Sequence, residues 1–182
     1  MPKQNERTEM DADAMQKAIR RMAHEIVERQ GDLEALVLAG IPTRGVEVAR
    51  RLADHIEKAS GRRPFLGTLD ISMHRDDLAT RGRVTQPAPT RLPVDLDGRP
   101  VVIVDDVFFT GRSCRAALDA LASFGRPSSI QLAVLVDRGH RELPIQADYV
   151  GKNLPTARDE KIRVRFENLD GTADSVRVVT SR

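Results

Sequence analysis

The sequence predicts an α/β protein with a central, mainly parallel sheet flanked by helices. Two observations predict this class. Apolar stretches typical of buried strands alternate along the chain with amphipathic helical patterns. Three polar segments, GIPTRG, DDVFFTGRS and DRGHRELP, follow predicted strands. Because parallel α/β sheets bind ligands beyond the carboxyl ends of their strands, these segments indicate one shared binding site.

Composition limits the possible classes of protein. A chain of 182 residues with a net charge of +2 predicts a single domain, spanning residues 1–182 and beginning with a polar, frayed tail over residues 1–12. A single cysteine argues against a disulfide framework and a cysteine-based zinc site. Because no long apolar run is present, we expect a soluble, cytoplasmic protein without a membrane partner.

The first half of the chain predicts two helices around a short strand. The first helix covers residues 13–29, where apolar residues recur every three or four positions. These positions are Met15, Ile19, Met22 and Ile26. A short apolar run at residues 35–39 predicts a strand, and a second amphipathic pattern predicts a helix from about Gly45 to Ala59.

The second half predicts further strands and one helix around a long loop. Residues 74–98 carry three prolines and many charges, so we expect a partly mobile loop, and loops of this length are usually functional. A helical face begins at Cys114. Strands are predicted at residues 64–73, 101–104, 130–136, 146–150 and within 161–180.

The segment VVIVDDVFFTGRS, residues 101–113, carries the most specific chemistry. We call it the signature segment. Thr110–Ser113 lies where a helix begins, and unpaired backbone N–H groups at a helix start favour an anion such as phosphate. Asp105 and Asp106 are acceptors suited to ribose hydroxyl groups. Together they indicate a ribose 5-phosphate site; the alternative is that Ser113 merely caps a helix and the aspartates end a strand.

Six segments in this order resemble the bifunctional pyrimidine operon attenuation regulators and uracil phosphoribosyltransferases, a family of type I phosphoribosyltransferases. The segments are AIRRMAHEIVER, GIPTRG, DISMHRDDL, VVIVDDVFFTGRS, LVDRGHRELPI and VGKNLPT. The resemblance implies the type I phosphoribosyltransferase fold, with a flexible loop and a small hood region. It also implies binding of phosphoribosyl pyrophosphate (PRPP), uracil and UMP.

The resemblance also implies residue roles. The catalytic residues are Arg44, Arg75, Asp105 and Asp106. The residues binding PRPP or UMP are Thr43, Arg44, Gly45, Arg75, Asp105, Asp106, Val107, Phe108, Phe109, Thr110, Gly111, Arg112, Ser113, Val136 and Arg138. Each of three segments also has an alternative interpretation without a substrate. Thr43–Gly45 could be a turn that opens a helix, and Arg75 with Asp76 and Asp77 could belong to a solvated loop. Arg138 could simply pair with Asp137.

The implied reaction joins uracil and PRPP to give UMP and diphosphate. Positive charge develops on the ribose and negative charge on the leaving diphosphate, so we expect catalysis by positioning and by charge stabilisation. Mg²⁺ would arrive with PRPP, because this ion usually binds through substrate phosphates and few carboxylates. We therefore predict no permanent metal site, and no residue stands out as a general base.

The resemblance further implies binding of the messenger RNA leader of the pyrimidine operon, controlled by UMP. Lys17, Arg20, Arg21 and His24 share one face of the first helix, at a spacing that suits phosphates. A second implied RNA cluster contains His140, Arg141, Lys152 and Thr156. Spacing alone favours the interpretation of both sets as solvated surfaces, and it is the resemblance that favours RNA binding. A dimer is the expected unit of a homo-oligomer, and attenuation and translational control remain open.

Three departures from the family pattern accompany the resemblance. Pro42 stands where a basic residue is usual, Phe108-Phe109 replaces Leu-Tyr, and Arg20 replaces Thr. Since cis peptide bonds are cheapest before proline, Pro42 favours a cis Ile41–Pro42 bond. Two rival functions remain: a purine phosphoribosyltransferase, whose base would stack on an aromatic hood, and an inactive regulator that senses PRPP or UMP.

Overall fold

The computed structural model describes residues 5–76 and 89–180. Strands and helices alternate through most of the chain, as the sequence predicts. Two short 3₁₀ turns, at Ser72–His74 and Ala122–Phe124, supplement them. In chain order the elements are β1 (Asn5–Met10), α1 (Ala12–Arg29), β2 (Val37–Gly40), α2 (Arg44–Ser60), β3 (Phe65–Thr68), β4 (Pro100–Phe108), α3 (Arg112–Leu121), β5 (Ser129–Asp137), β6 (Tyr149–Asn153), β7 (Glu160–Arg165), α4 (Glu167–Asp170) and β8 (Ser175–Thr180).

Five strands form the central sheet in the order β3-β2-β4-β5-β6. All four neighbouring pairs are parallel, which confirms the predicted α/β class. After β2 the chain adds β3 on one side, and then crosses to the other side of β2 to form β4. The carboxyl ends of β2 and β4 therefore flank the point where strand order reverses, which is where such sheets bind ligands.

Alternate residues of the central strands enter two hydrophobic layers. Leu38, Val102 and Leu135 pack with buried residues of α1 and α2. Val37 and Val101 face the other side, where they pack with the apolar face of α3. Because both faces of the sheet are covered, β2, β4 and β5 consist of nearly continuous apolar runs.

The hood is an antiparallel sheet of β1, β8 and β7, in that order. The prediction of a frayed tail over residues 1–12 was wrong for Asn5–Met10, which pairs with β8 from end to end. Met10 is only 4% exposed and packs in the same core as α1. The polar appearance of the segment arises because a strand at the edge of a sheet exposes most of its side chains.

The bounds of three predicted strands change in the structure. The strand predicted at residues 146–150 begins only at Tyr149 and continues to Asn153. The strand predicted at residues 64–73 ends at Thr68, because β2, the strand beside it in the sheet, is four residues long. Met73, expected on its apolar side, is 75% exposed. The strand predicted at residues 101–104 continues to Phe108, because β5 pairs with it past the two aspartates. The acid pair therefore lies within β4 rather than after it.

The predicted long loop is described only in part. Residues 77–88, which include Asp77 and about half of the expected loop over residues 74–98, lie outside the described residues. On their carboxyl side the chain is anchored, since Arg91 forms a β-bridge with Thr68 and Leu96 is fully buried. In the described part of the chain, every helix is too short or too polar to span a membrane.

Candidate active site

A cavity of about 540 Å³, which we call the main cavity, opens at the carboxyl ends of β4 and β5, beside the point where strand order reverses. The signature segment forms one wall, and β7 of the hood forms another. The residues that line it are Ile41, Arg75, Asp105, Val107, Phe108, Phe109, Thr110, Gly111, Arg112, Ser113, Cys114, Leu132, Val134, Arg138, Arg158, Glu160, Lys161 and Ile162. Most substrate-binding residues predicted in the signature segment thus meet in one place.

The helices that begin at the site lack side-chain caps. Helix α1, away from the cavity, starts with Asp11, whose carboxylate accepts a hydrogen bond from the backbone N–H of Ala14 at 2.8 Å. By contrast, α2 starts after Thr43 and α3 after Gly111 without any side-chain cap. At α3 the Arg112 N–H donates to Thr110 Oγ1 in a long hydrogen bond of 3.4 Å. The following N–H groups of the first turn and the positive end of each helix dipole can bind an anion.

Ser113 lies within the first turn of α3, so the alternative in which it caps the helix is wrong. The cap position belongs to Gly111, whose φ of 93° is in the left-handed region that glycine tolerates. The hydroxyl of Ser113 accepts a hydrogen bond from Arg75 at 3.2 Å. The Arg75 guanidinium and the start of α3 thus converge on the Ser113 hydroxyl, as the binding of a phosphate requires. We call Thr110–Ser113 together with Arg75 the expected phosphate cradle.

Asp105 and Asp106 line different cavities. Asp105 faces the main cavity, and Asp106 lines an adjoining one of about 620 Å³ between β4 and the hood, because successive side chains of a strand point to opposite sides. Burial and the nearby Asp106 carboxylate raise the pKa of Asp105 well above its usual value. A shared ribose contact for both acids stays a prediction.

Arg44 of the expected diphosphate loop, Thr43–Gly45, lines the second cavity. Arg44 donates hydrogen bonds to the carbonyl oxygen of Val164 at 2.7 Å and to the Asp170 carboxylate at 2.5 Å. Gly45 lies so close to β4 that a Cβ there would be 2.5 Å from the Val104 carbonyl oxygen. The cis peptide bond of this loop joins Pro42 to Thr43, so the expectation of a cis Ile41–Pro42 bond was wrong.

The structure separates the residues predicted around the base. Arg138 lines the cavity and does not pair with Asp137; its guanidinium donates to Thr156 Oγ1, to the Ala157 carbonyl oxygen and to the Glu160 carbonyl oxygen at 2.8–2.9 Å. Val136 is fully buried in the core and does not line the cavity.

The two phenylalanines of the signature segment also differ in position. Phe108 is only 4% exposed and packs in the apolar layer on the α3 side of the sheet. The ring of Phe109 lies beside Arg138, whose guanidinium carbon is 4.0 Å from the ring centroid. Phe108 therefore belongs to the core as well as to the cavity wall, whereas Phe109 contacts a cation.

Arg21 and Lys152, one residue from each predicted RNA cluster, come close together where α1 packs against β6. Arg21 of α1 donates to the Gly151 carbonyl oxygen at 2.6 Å, next to Lys152 in β6. Lys17 pairs with Asp13 and Arg21 with Glu25, each at 2.6 Å. In the second cluster, Lys152 donates to the Glu9 carbonyl oxygen at 2.8 Å and Arg141 to the Ile145 carbonyl oxygen at 3.3 Å. A ring nitrogen of His140 lies 2.5 Å from the Thr156 carbonyl oxygen.

Sequence reasoning missed the hood residues of the cavity and Cys114. Arg158–Ile162 carries no motif, and only the alternation of charged and apolar residues in EKIRVR indicated a strand with one face on a site. Cys114 lines the cavity, where burial and the Asp105 carboxylate raise the pKa of its thiol to about 11. The thiol is therefore neutral at pH 7 and acts as an apolar wall.

Comparisons with known proteins agree with this geometry. The phosphoribosyl transferase domain family matches residues 8–167. The hypoxanthine phosphoribosyltransferase of Trypanosoma cruzi superposes with a TM-score of 0.70 at 16% identity, covering 97% of each chain. At this identity the likeness concerns the fold alone. The fold, the phosphate cradle and the family match together define a phosphoribosyl transferase.

Curated relatives narrow the class. A bifunctional protein PyrR from Roseiflexus sp. is 53% identical over 170 residues, covering 93% of this chain and 93% of the relative. One from Thermus thermophilus is 54% identical over 162 residues, covering 89% and 90%. The chain belongs to the family of the bifunctional protein PyrR.

Proposed function

We propose that this protein transfers the phosphoribosyl group of PRPP to uracil, giving UMP and diphosphate. The observation that carries the proposal is the uncapped start of α3, where Thr110–Ser113 and Arg75 converge beside Asp105 in the main cavity. A 5-phosphate on the helix start brings the ribose hydroxyls within reach of the acid.

Catalysis in this proposal rests on positioning and on charge. The cradle fixes the phosphate and the hood closes the opposite wall, so the reacting carbon is held near the base and away from water. Arg44 borders the cavity beside Asp106 and stabilises the leaving diphosphate once it exchanges its bonds to Val164 and Asp170. Arg75 supports the cradle through Ser113.

Mg²⁺ fits this site as a partner of PRPP. Within residues 5–76 and 89–180, no three His, Cys, Asp or Glu side chains group as a metal site would. Two carboxylates, Asp105 and Asp106, are nevertheless adjacent, and Mg²⁺ typically uses one or two carboxylates together with substrate phosphates. When bound, the ion would supply charge neutralisation to the diphosphate, and Asp106, which lines the second cavity with Arg44, would be its protein ligand.

The described cavity wall favours a pyrimidine over a purine. The hood contributes Lys161 and Ile162 and no aromatic ring on which a purine would stack. The test is nucleotide synthesis from PRPP in the presence of Mg²⁺, with uracil, hypoxanthine and orotate assayed in parallel as the base. We expect turnover with uracil alone. Turnover with hypoxanthine instead would support the purine rival, and no turnover with any base would support the inactive regulator.

We also propose UMP-dependent binding of the pyrimidine operon leader RNA through the two predicted basic clusters. One cluster lies on α1, and the other includes Lys152 of β6. The contact of Arg21 with Gly151 supports this proposal, since it joins two sets that are far apart in sequence. Arg20 and His24 support it as well. Both are exposed, and the described residues provide neither with an ion pair, so the Arg20 guanidinium and the His24 ring are accessible to phosphates.

Substitution of Arg20 tests the RNA interaction most cleanly, because Arg21 also holds β6. We expect Arg20→Ala to weaken leader binding and to reduce the salt dependence of the affinity by about one counterion, the effect of losing one phosphate contact. Arg126→Ala, an exposed arginine outside both clusters, is the matched control. Equal losses in the two variants would contradict a specific role for α1.

Residues 1–182 are proposed to form one phosphoribosyltransferase domain acting in the cytoplasm, where its proposed substrates and messenger occur. A dimer as the basic unit of a homo-oligomer is proposed from the family resemblance. Light scattering over a range of protein concentrations tests the assembly, and a constant monomer mass would contradict it.

A further inference from the structure

Phe109 belongs to the signature segment and lines the cavity, but the proposed reaction assigns it no role. Its ring lines the main cavity and lies against the Arg138 guanidinium, 4.0 Å from ring centroid to guanidinium carbon. The ring of His140 stands edge-on to it, with centroids 5.7 Å apart and planes at 76°. One aromatic ring thus touches the cavity, a buried cation and a predicted RNA residue.

Arg138 connects this ring to the chain that leads into the hood. The side chain is only 6% exposed, and its hydrogen bonds reach Thr156, Ala157 and Glu160. Burying a guanidinium is costly unless its donors are satisfied. The position of residues 156–160 is therefore tied to that of Arg138, and Glu160 of this stretch lines the cavity.

Two backbone hydrogen bonds fix the signature segment to the chain that carries His140. The Arg138 N–H donates to the Phe108 carbonyl oxygen at 3.1 Å, and the Glu142 N–H donates to the Thr110 carbonyl oxygen at 2.9 Å. Between them His140 has a φ of 67°, a left-handed conformation that is uncommon for a non-glycine residue. Its ring nitrogen lies 2.5 Å from the Thr156 carbonyl oxygen.

We propose that Phe109 and Arg138 couple the nucleotide cavity to the RNA-binding surface. Arg138 is a positioning residue that holds residues 156–160, and Phe109 is the contact through which a bound nucleotide orders Arg138 and His140. The inference rests on the proposed RNA function. A nucleotide that has already ordered His140 and Thr156 lowers the ordering cost of RNA binding, which is positive coupling between the two sites.

Leader RNA affinity with and without saturating UMP tests the coupling. We expect UMP to raise the affinity of the native protein about fivefold or more, a range typical of linked sites. Phe109→Leu should reduce this factor to less than about twofold, whereas Phe109→Tyr, which keeps the ring, should restore it. Phe124→Leu, the same change at a 41% exposed position outside the site, is the matched control.

The outcomes separate the inference from the function on which it rests. If UMP leaves the affinity of the native protein unchanged, the RNA proposal fails. If UMP acts on the native protein and equally on Phe109→Leu, the RNA proposal stands and the coupling through Phe109 is refuted.

Hydrogen exchange provides a readout that needs neither RNA nor turnover. In the native protein, UMP should slow exchange at residues 156–160, and this protection should be lost in Phe109→Leu. Arg138→Lys, which keeps the charge but not the forked donors, should lose it as well and serves if the first variant does not fold. Native-like protection in either folded variant overturns the inference.

Discussion

At the scale of single residues, the site depends on close approaches and shared charges. Gly45 brings the start of α2 against β4, and Gly111 allows the turn that opens α3. Asp105 and Asp106 are neighbours in sequence, yet they line different cavities, and the Asp106 carboxylate helps to raise the pKa of Asp105. Small changes here are expected to have large effects, because backbone and carboxylate leave little room for adjustment.

The first prediction concerns Gly45→Ala. A Cβ at this position would be 2.5 Å from the Val104 carbonyl oxygen, so the helix start must move away from β4. We expect a loss of about 1–3 kcal/mol in the free energy of unfolding, as for other overpacked sites, together with lower affinity for PRPP. Denaturant unfolding measures the loss. Gly31→Ala, where no atom lies within 4 Å, should be close to neutral.

The second prediction concerns Asp105→Asn and pH. Burial, followed by the Asp106 charge, raises the folded-state pKa of Asp105, so its ionised form destabilises the fold. The stability of the native protein should therefore fall, relative to the variant, as pH rises from about 4 through the raised pKa. Unfolding measured between acid and neutral pH detects this divergence, and a constant difference would contradict it.

The same variant should bind PRPP about fivefold more weakly, because a typical hydrogen bond contributes roughly 1 kcal/mol. Asp119→Asn, at an exposed position on α3, should change neither quantity.

At the scale of elements, ionic contacts join the helices to the hood. Glu47 of α2 is only 5% exposed and accepts hydrogen bonds from Arg50 and Arg51. Arg51 also pairs with Asp174, just before β8, and its guanidinium carbon lies 4.7 Å from the ring centroid of Phe166. Helix α2, whose start faces the second cavity, is thereby held against the sheet that closes the site.

The third prediction concerns Glu47→Gln. Although burial opposes its ionisation, hydrogen bonds from Arg50 and Arg51 lower the pKa of Glu47 to about 2. Removing its charge leaves the guanidinium donors of Arg50 and Arg51 poorly paired, so we expect a loss of roughly 3 kcal/mol in unfolding free energy at neutral pH. Because the folded pKa lies below the unfolded value, the difference from the native protein should shrink below about pH 4.5 and vanish near pH 2.

Urea unfolding at several pH values measures this difference. Glu57→Gln, on the same helix at a side chain that is 50% exposed, serves as the control. An equal loss in the two variants would show that Glu47 has no special role in joining α2 to the hood.

At the scale of the whole molecule, the site exists only where the two sheets meet. The parallel sheet provides the phosphate cradle and Asp105, while the hood provides Lys161 and Ile162 on β7. A ligand in the main cavity therefore contacts both sheets at once. Binding should stabilise the folded protein as a unit, because the unfolded chain does not assemble these two walls.

The fourth prediction is a thermal shift with UMP. At about 100 times its dissociation constant, a ligand adds about 2.7 kcal/mol to the stability, which corresponds to roughly 5–10 °C for a chain of this size. Calorimetry measures the shift. Uridine at equal concentration lacks the phosphate that the start of α3 is expected to hold, so its shift should be much smaller; equal shifts would argue against the cradle.

Much of the candidate site follows from local sequence. The residues that make α3 begin at Gly111, with hydroxyls on either side, are contiguous, and so is the acid pair that precedes them. The order of β-strands and helices is likewise visible, because buried strands are continuously apolar and surface helices repeat every three to four residues. These features depend on neighbours within one or two turns of chain, which is the range over which a sequence pattern carries information.

Only the tertiary structure decided the features that depend on distant partners. Asn5–Met10 became a strand because β8, at the other end of the chain, pairs with it. Arg138 bonds to Thr156 rather than to its neighbour Asp137, and Phe109 lies between the cavity and that arginine. The sequence by itself determined the class of protein and the place where α3 begins, whereas folding determined which residues surround that helix start, because such contacts join segments with no shared local pattern.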